Sequence, residues 1–365
     1  MKINILDAGL VDKGGHHFDI DRNVVRYLVE AGHDVRVYAY VGAIDEVKEI
    51  IGAYAPVEAV FRSFHYATPE DADFYAGELT RFLRDAEKLA EDLQHVRPAD
   101  LWFWPTMSAQ HLLACARVMP DAGVVGCIHE DPGIATRSVG AQMWRYALLE
   151  AHRKKLRFTA GSVEPELRFR YMEIMPDARF IVFPHPFDGT PIEQPKRELK
   201  KIGFFGHQRP EKGTNVIGRV IGQLVTDGYD ILFQDSWGLL KMRDHPQIEA
   251  LDFVDDLTGP LKACDLVVLP YEVERYRAHG SGILAHCLIL GIPVVGPFGT
   301  IPGRLIEQFR VGPLFQRTEG RSIHAAIKQA EANYARYAAN AFNLSRQYSK
   351  QNGVAHFAAA ALRFA

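Results

Sequence analysis

The feature that most constrains this chain is an alternation of short apolar strands with amphipathic helices. In the first half, the pattern predicts strands at 2–7, 34–40, 57–61, 100–103 and 123–128, and helices at 18–31, 73–95, 109–118 and 139–155. Strands rich in Val, Ile and Leu that alternate with helices are typical of a parallel sheet covered on both faces. The pattern therefore predicts an α/β fold.

The alternation is interrupted by a proline-rich segment between Pro184 and Pro195, followed by a charged stretch at 196–201. Such a composition is typical of a linker between domains. Beyond it the pattern restarts, with strands at 201–205, 229–234, 266–269 and 293–295, helices at 214–226 and 282–290, and a helical tail broken near Gly353.

These boundaries predict two Rossmann-like, doubly wound domains, at 1–188 and 189–345, followed by a C-terminal helix at 346–365. The length of 365 residues agrees with this, since a domain averages roughly 150 residues. Ligands in doubly wound folds bind outside the carboxyl ends of the strands. We therefore expect a ligand cleft where the two sheets face each other.

Composition excludes several classes of protein. Lys and Arg number 42 and Asp and Glu 45, a net charge of −3, whereas nucleic-acid binders carry a basic excess. The longest apolar stretch, 282–296, includes His286 and Pro293 and is shorter than the roughly 18 residues of a membrane span. The first seven residues are typical of a strand rather than a signal peptide. The four cysteines form no C-x-x-C pair, which favours a reducing cytoplasm.

The first candidate site is the glycine-containing turn between the first strand and the first helix, which includes Gly14, Gly15 and His16. Adjacent glycines let backbone N–H groups approach an anion, and the positive end of the helix dipole adds to the attraction. A loop that only needs positive φ angles would show the same residues. The dinucleotide fingerprint G-x-G-x-x-G is absent here.

The second candidate is the turn from Gly206 to Gly213, which is close to the P-loop pattern. Glu211 occupies the position of the second P-loop glycine, so a P-loop NTPase is not favoured. Arg209 and Lys212 remain beside the turn, and such a pair can hold a diphosphate and stabilise the charge that develops as it leaves. The alternative is a solvated helix start.

The third candidate is Gly280-Ser281-Gly282, where a helix is predicted to begin. Its backbone amides offer donors to a phosphate, although a tight packing turn would explain the same glycines. With Ala285 it matches G-x-G-x-x-A only weakly, and no acid follows the next strand to bind a ribose. A nicotinamide-dependent oxidoreductase is therefore a distant alternative.

Two other features admit two interpretations each. His129 ends a strand and either contacts a sugar or makes a structural hydrogen bond; with Glu130 and Asp131 adjacent on one loop, a compact metal site is not expected. The basic run at 152–157 is either a helix C-terminus with cations matched to its dipole or a site of peripheral attachment to anionic lipid.

Together these segments resemble the GT-B glycosyltransferases of the large retaining group that includes glycogen synthases and mannosyltransferases (the family 4-like group). The turn at 206–213 resembles the family's G-R-x-x-x-E-K-G element, 263–270 its A-D-x-x-x-x-P-S strand, and 281–295 its E-A-x-A-x-G-x-P-V-V element. Gly14-Gly15 resembles its N-terminal glycine loop, and the resemblance implies that the C-terminal helix at 346–365 crosses back to the first domain. His129 resembles its histidine that contacts donor sugar or acceptor.

The chain departs from this family at three positions. The family's E-x7-E pair falls on Ala278 and His286, and the arginine of its G-R element falls on His207. The second Glu usually holds the nucleotide ribose, so His286 would have to do this differently. Arg209, two places after His207, can supply the missing charge.

The resemblance implies a glycosyltransferase that moves a sugar from a nucleotide-diphosphate sugar to a glycan, lipid-linked or small-molecule acceptor, with retention and without a metal or other cofactor. It implies catalytic roles for Arg209, Lys212 and His129. Donor or acceptor contacts are expected from Gly14, Gly15, His16, Gly206, His207, Gly280, Ser281, Gly282 and His286. Peripheral contact with the inner face of a membrane is part of the same expectation.

Two further functions stay open at this point. A non-catalytic GT-B scaffold or regulator in glycan assembly would explain the missing Glu pair, whereas the retained Arg209, Lys212 and Gly14-Gly15 oppose it. A nucleotide-sugar epimerase would need an acid–base pair of carboxylates, which the spacing of the acidic residues does not place.

Overall fold

The computed structural model describes residues 1–65, 77–129, 131–132, 138–176, 178–206, 212–236, 238, 243–252, 254, 256–277 and 279–364. The chain divides into two compact units. Unit 1 comprises Met1–Pro186 with Val354–Ala365, and unit 2 comprises Phe187–Gly353. Each unit is built around its own parallel sheet.

Unit 1 contains seven strands that pair in the order β3-β2-β1-β4-β5-β6-β7, all parallel. The strands are β1 Lys2–Asp7, β2 Asp34–Tyr40, β3 Val57–Phe61, β4 Leu101–Trp104, β5 Gly123–Cys127, β6 Phe158–Ser162 and β7 Phe180–Val182. The helices are α1 His16–Glu30, α2 Asp45–Gly52, α3 Glu78–Leu93, α4 Ala109–Val118, α5 Val139–Arg153 and α6 Pro165–Ile174.

The sheet of unit 1 is buried on both faces because its side chains alternate between two helix layers. In β1, Ile3 and Ile5 pack into the core that includes α1, while Leu6 packs into the core that includes α3 and α4. The strand order reverses between β1 and β4, and the connections after such strands border the usual ligand crevice.

Unit 2 repeats this arrangement with six parallel strands in the order β10-β9-β8-β11-β12-β13. The strands are β8 Lys201–Phe204, β9 Asp230–Gln234, β10 Ile248–Leu251, β11 Leu266–Val268, β12 Val294–Pro297 and β13 Leu314–Phe315. The helices are α7 Thr214–Thr226, α8 Thr258–Ala263, α9 Val273–Tyr276, α10 Gly282–Leu290, α11 Ile301–Phe309, α12 Gly320–Ala332 and α13 Tyr334–Gln351. Its order reverses between β8 and β11.

The helical tail breaks where the sequence predicted. Helix α13 packs on α10 in unit 2, and α14, Val354–Leu362, packs on α1 in unit 1. Gly353 lies between them with a φ of 116°, a conformation that glycine adopts without strain. The tail therefore changes unit at this residue.

The predicted α/β fold of two doubly wound sheets is confirmed, although several elements were not predicted. The strand β6 has the sequence Phe-Thr-Ala-Gly-Ser, which lacks a Val- or Ile-rich run, and is a strand because it pairs with β5 and β7. The two-residue strand β13 is too short for any pattern to reveal it. Among the helices that the structure describes, none has the length and apolarity that crossing a membrane requires.

Candidate functional site

The loop after β1 in unit 1 is shaped by glycine. Gly15 caps α1 with a φ of 92°, and no atom lies within 4 Å of the position that a Cβ on this residue would take. A Cβ on Gly9 would lie 2.3 Å from Cε1 of His17, so only glycine lets the loop cover this imidazole. Gly14 donates its backbone N–H to Oδ1 of Asp12 at 2.6 Å. The predicted glycine positions thus border the start of α1, at the reversal between β1 and β4.

A buried carboxyl pair lies beneath this loop. Asp7 ends β1 and is fully buried; its Oδ1 and Oδ2 accept hydrogen bonds from Nδ1 of His17 at 2.8 and 2.7 Å. Burial alone would raise the pKa of Asp7, but the charge and hydrogen bond of His17 and the N–H of Gly9 hold it below its usual value. Burial and the neighbouring Asp7 raise the pKa of Asp21 well above its usual value. Asp7 is therefore the charged member of the pair, and Asp21 the protonated one.

Five histidines extend from this pair as a continuous series of ring contacts. Ring centroids are 5.2 Å apart for His129 and His16, 4.4 Å for His16 and His17, 5.3 Å for His17 and His65, and 5.1 Å for His65 and His111. His16 and His17 begin the helix after β1, His65 and His129 follow β3 and β5, and His111 lies in the helix after β4. Carboxyl ends of parallel strands share one edge of a sheet, which is why residues so distant in sequence meet.

The series runs from a fully buried end to a partly exposed one. At the buried end, Nδ1 of His111 accepts the backbone N–H of Ser108 at 3.0 Å, and burial lowers the pKa of His111 well below its usual value. At the other end, Nε2 of His129 donates to the carbonyl of Pro105 at 3.0 Å, which fixes the orientation of this ring. No group of His, Cys, Asp and Glu within the described ranges is arranged to hold a metal ion.

The raised pKa of Asp21 predicts how Asp21→Asn changes stability with pH. In the folded chain Asp21 keeps a proton that the unfolded chain releases above a pH of about 3.9, so folding takes up a proton above that pH. The stability of the wild type therefore falls as the pH rises from the unfolded pKa of Asp21 towards its higher folded pKa. Asparagine has the same shape, can donate to Asp7 and needs no proton. Denaturant unfolding should therefore show Asp21→Asn more stable than wild type at pH 8, with a smaller gain at pH 4.

Asp19→Asn is the matched control because Asp19 lies on the same helix and is partly exposed. Its effect on stability should differ little between the two pH values. Equal destabilisation by Asp21→Asn at both pH values would contradict a protonated Asp21.

In unit 2, the turn after β8 is closely held against the end of β11. The N–H of Gly206, at a φ of 103°, donates to Oε1 of the buried Gln234 at 2.8 Å. Gly213 caps α7 at a φ of 77°, and a Cβ there would lie 2.1 Å from the carbonyl oxygen of Pro270. Nζ of Lys212 lies 3.0 Å from the position that a Cβ of Gly206 would take. The described part of this turn thus places an ammonium group at the reversal between β8 and β11.

The start of α10 borders the same place. Cγ1 of Ile283 lies 3.6 Å from the position that a Cβ of Gly206 would take, the same position that Nζ of Lys212 approaches. The second and third candidate segments therefore come together. Oγ of Ser281 accepts the N–H of Leu284 at 3.2 Å and lies 3.1 Å from the hydroxyl of Tyr271. The Ser281 hydroxyl is therefore engaged within the fold, whereas Gly282, the next residue, is exposed.

His286 lies one turn further along α10, with its ring centroid 4.3 Å from that of Phe187. Burial lowers the pKa of His286 to about 4, although the charge of Asp256 acts in the opposite direction. The imidazole is therefore neutral at pH 7. It can donate or accept one hydrogen bond, unlike the charged Glu that the resemblance expects at this position.

The structure brings some predicted residues together within each unit and leaves others outside its description. Gly14, Gly15, His16 and His129 gather in unit 1, and Gly206, Lys212, Gly280, Ser281, Gly282 and His286 in unit 2. Arg209, His207 and Ala278 lie outside the described residues. Sequence reasoning assigned no site role to Asp7, Asp21, His65 or His111, and it left open whether His17 faces the cleft or packs. The one signal available was an acid at the end of the first strand with a histidine in the next helix turn.

Comparisons with known proteins bear on the fold. No protein-family model and no curated protein matches the chain. Sucrose-phosphate synthase from Thermosynechococcus elongatus aligns over 100% of this chain and 97% of its own, with a TM-score of 0.69 and 13% identity. HepE from Anabaena, solved with UDP-glucose, aligns over 100% of this chain and 98% of its own, with a TM-score of 0.65 and 15% identity. A glycosyltransferase from Rickettsia africae aligns over 99% of this chain and 97% of its own, with a TM-score of 0.67 and 12% identity.

The chain has the GT-B fold. The two reversals of strand order are therefore equivalent features of its two Rossmann-like units. In this GT-B chain, the turn carrying Lys212 borders the reversal in unit 2, and the loop carrying Gly15 and His16 borders the reversal in unit 1.

Proposed function

We propose that the protein is a glycosyltransferase that uses a nucleotide-diphosphate sugar as donor. The observation that carries this proposal is the position of Nζ of Lys212, beside Gly206 and next to Ile283 at the start of α10. A cation and a helix N-terminus directed at one place suit a diphosphate, whose negative charge grows as the sugar leaves. The Anabaena HepE of the same fold was solved with UDP-glucose, which supports a donor of this class.

The remaining roles belong to the same proposal. Arg209 would add a second cation beside Lys212, and His286 would contact the nucleotide as a neutral imidazole. Gly14, Gly15, His16 and His129 of unit 1 would receive the acceptor, which is a glycan, a lipid-linked sugar or a small molecule. Transfer would proceed with retention and with no bound metal, because cations and backbone dipoles supply the charge stabilisation. A cytoplasmic setting with peripheral membrane contact completes the proposal.

A thermal-shift panel of UDP, GDP, ADP and TDP tests donor binding. A ligand that binds only the folded state at 100 times its Kd adds about 2.7 kcal/mol. Because a unit of this size gains about 2–4 °C per kcal/mol, the preferred nucleotide should raise the Tm by roughly 5–10 °C. Lys212→Ala should weaken this shift. No shift with any of the four nucleotides would contradict the proposal.

A transfer and hydrolysis assay with the matching nucleotide sugars then separates an enzyme from a scaffold. One observation favours the scaffold: the position where the resemblance expects a ribose-binding Glu is a buried, neutral His286 packed on Phe187. Nucleotide binding without transfer or donor hydrolysis would establish that second function, and interconversion of the donor sugar alone would indicate an epimerase.

A further inference from the structure

An open cavity of about 410 Å³ lies in unit 1, away from the candidate site. It is bordered by the second half of α5, the start of β6 and the end of α6, with Leu148, Phe158 and Ile174 among its lining residues. Phe158 is the first residue of β6, so the cavity lies at the amino ends of the strands. The loop carrying Gly15 follows the carboxyl end of β1, and the strands are parallel. The cavity and the predicted site are therefore at opposite ends of this sheet.

The two helices that border the cavity, α5 and α6, carry several exposed apolar side chains. Leu149, which also lines the cavity, is 65% exposed, and Phe169 on α6 is 67% exposed. Tyr146 and Met172 are 44% and 40% exposed on the same two helices. Isolated apolar side chains are common on protein surfaces, but several large ones on two helices that border one cavity favour a binding surface. We call this surface, Tyr146, Leu149, Phe169 and Met172 with the cavity, the α5–α6 face.

Basic side chains line the same cavity. Arg145, His152 and Arg179 line it together with the apolar residues. Lys154 and Arg157 lie between the end of α5 and the start of β6, and both are exposed. Arg153 pairs with Glu150, whereas no carboxylate within the described ranges forms an ion pair with Arg145, Lys154 or Arg157. The whole chain carries a charge of −3, so this positive surface is a local feature.

An apolar cavity with a cationic rim fits a ligand that is apolar at one end and negatively charged at the other. A single acyl chain binds a membrane only marginally, and stable peripheral attachment needs a second signal such as a polybasic segment. The α5–α6 face carries both elements, because the cavity can accept a chain and the segment at 152–157 can attract anionic headgroups.

We propose that the α5–α6 face is a docking surface for anionic membrane lipid, with an acyl chain in the cavity and the headgroup on Arg145, His152 and Arg179. The proposal rests on the peripheral membrane contact proposed above and is independent of sugar transfer. Because the face lies at the amino ends of the strands, it anchors the protein without occupying the loops where donor and acceptor are proposed to bind.

Sedimentation of the full chain with vesicles tests the proposal. One vesicle is phosphatidylcholine alone, and the other contains about 30% phosphatidylglycerol, a composition with a negative surface potential. We expect binding only to the second vesicle and at least a tenfold loss of binding for Leu149→Asp and for Lys154→Glu with Arg157→Glu. Added salt should weaken the binding that remains.

Matched controls keep the outcome specific. Tyr54→Asp changes an exposed apolar residue at the opposite edge of the same sheet, next to β3. Arg317→Glu with Arg321→Glu changes the net charge by the same amount in unit 2. Both controls should bind like wild type. Wild-type binding by Leu149→Asp, or equal loss in the controls, would overturn the proposal.

A second measurement separates a lipid from a simple anion. A short-chain phosphatidylglycerol should raise the Tm, whereas glycerophosphoglycerol, which has the headgroup without chains, and inorganic phosphate should not. An equal shift with the chain-free anions would overturn the lipid assignment. The rate of sugar transfer to a soluble acceptor should be the same in Leu149→Asp as in wild type. Failure of the docking surface and failure of the proposed transfer are therefore distinguishable.

Discussion

Lys212→Ala is expected to lower kcat by about 100- to 1,000-fold, the range seen when one preorganised charge-stabilising donor is removed from a catalytic site. The ammonium lies beside Gly206 and Ile283, where the turn after β8 meets the start of α10. A leaving diphosphate gains negative charge in the transition state, so loss of the cation affects the transition state more than the ground state. The loss should therefore be larger in kcat than in KM.

Steady-state kinetics with the donor identified by the nucleotide panel measure this effect. Arg219→Ala is the control, because Arg219 is an exposed cation on α7, the helix that the same turn leads into. Arg219→Ala should transfer sugar at the wild-type rate, and both variants should unfold at the wild-type temperature. Near-normal turnover by Lys212→Ala would remove Lys212 from the diphosphate site.

Gly213→Ala is expected to lower the free energy of unfolding by roughly 2–5 kcal/mol, of which ~1–2 come from the left-handed backbone and ~1–3 from overpacking. The glycine has a φ of 77°, and an added Cβ would lie 2.1 Å from the carbonyl oxygen of Pro270. Because this oxygen belongs to the backbone after β11, it has little room to move. The substitution should also displace the turn that holds Lys212 and so weaken nucleotide binding.

Gly218→Ala provides a close comparison within α7. A Cβ at Gly218 meets no atom within 4 Å, and alanine is favoured over glycine inside a helix by about 0.5–1 kcal/mol. Denaturant unfolding should therefore show Gly218→Ala slightly more stable than wild type and Gly213→Ala much less stable. Similar stabilities for the two variants would mean that Gly213 does not hold the turn against β11.

Much of the fold was predictable because its signals are local. A Val- and Ile-rich strand such as β1 or β11 is recognisable in any context, and the proline-rich segment separates two runs of the same alternation. The strands β6 and β13 were not predictable, because β6 lacks a β-branched run and β13 has two residues. Their conformation depends on pairing with neighbouring strands rather than on their own residues.

Some features of the candidate site were predictable from the sequence, and others were not. Glycine positions such as Gly15, Gly206 and Gly213 were predictable, since a turn between a strand and a helix needs positive φ angles within a few residues. The contact of Asp7 with His17 and Asp21 was not, because alternation gives no information on which polar residues are buried. The role that resemblance assigns to His286 also required the structure, which shows a neutral ring packed on Phe187.

The sequence by itself determined the α/β class, the repetition of one architecture and the glycine turns, because each depends on residues close together in the chain. Only the tertiary structure decided which loops meet. The strand orders place β1 beside β4 and β8 beside β11. This brings His65, His111 and His129 into one series of ring contacts with His16 and His17, and it brings Lys212 near Ile283. It also decided that apolar residues remain exposed on α5 and α6, the helices that border a cavity, since burial depends on which surfaces the rest of the chain covers.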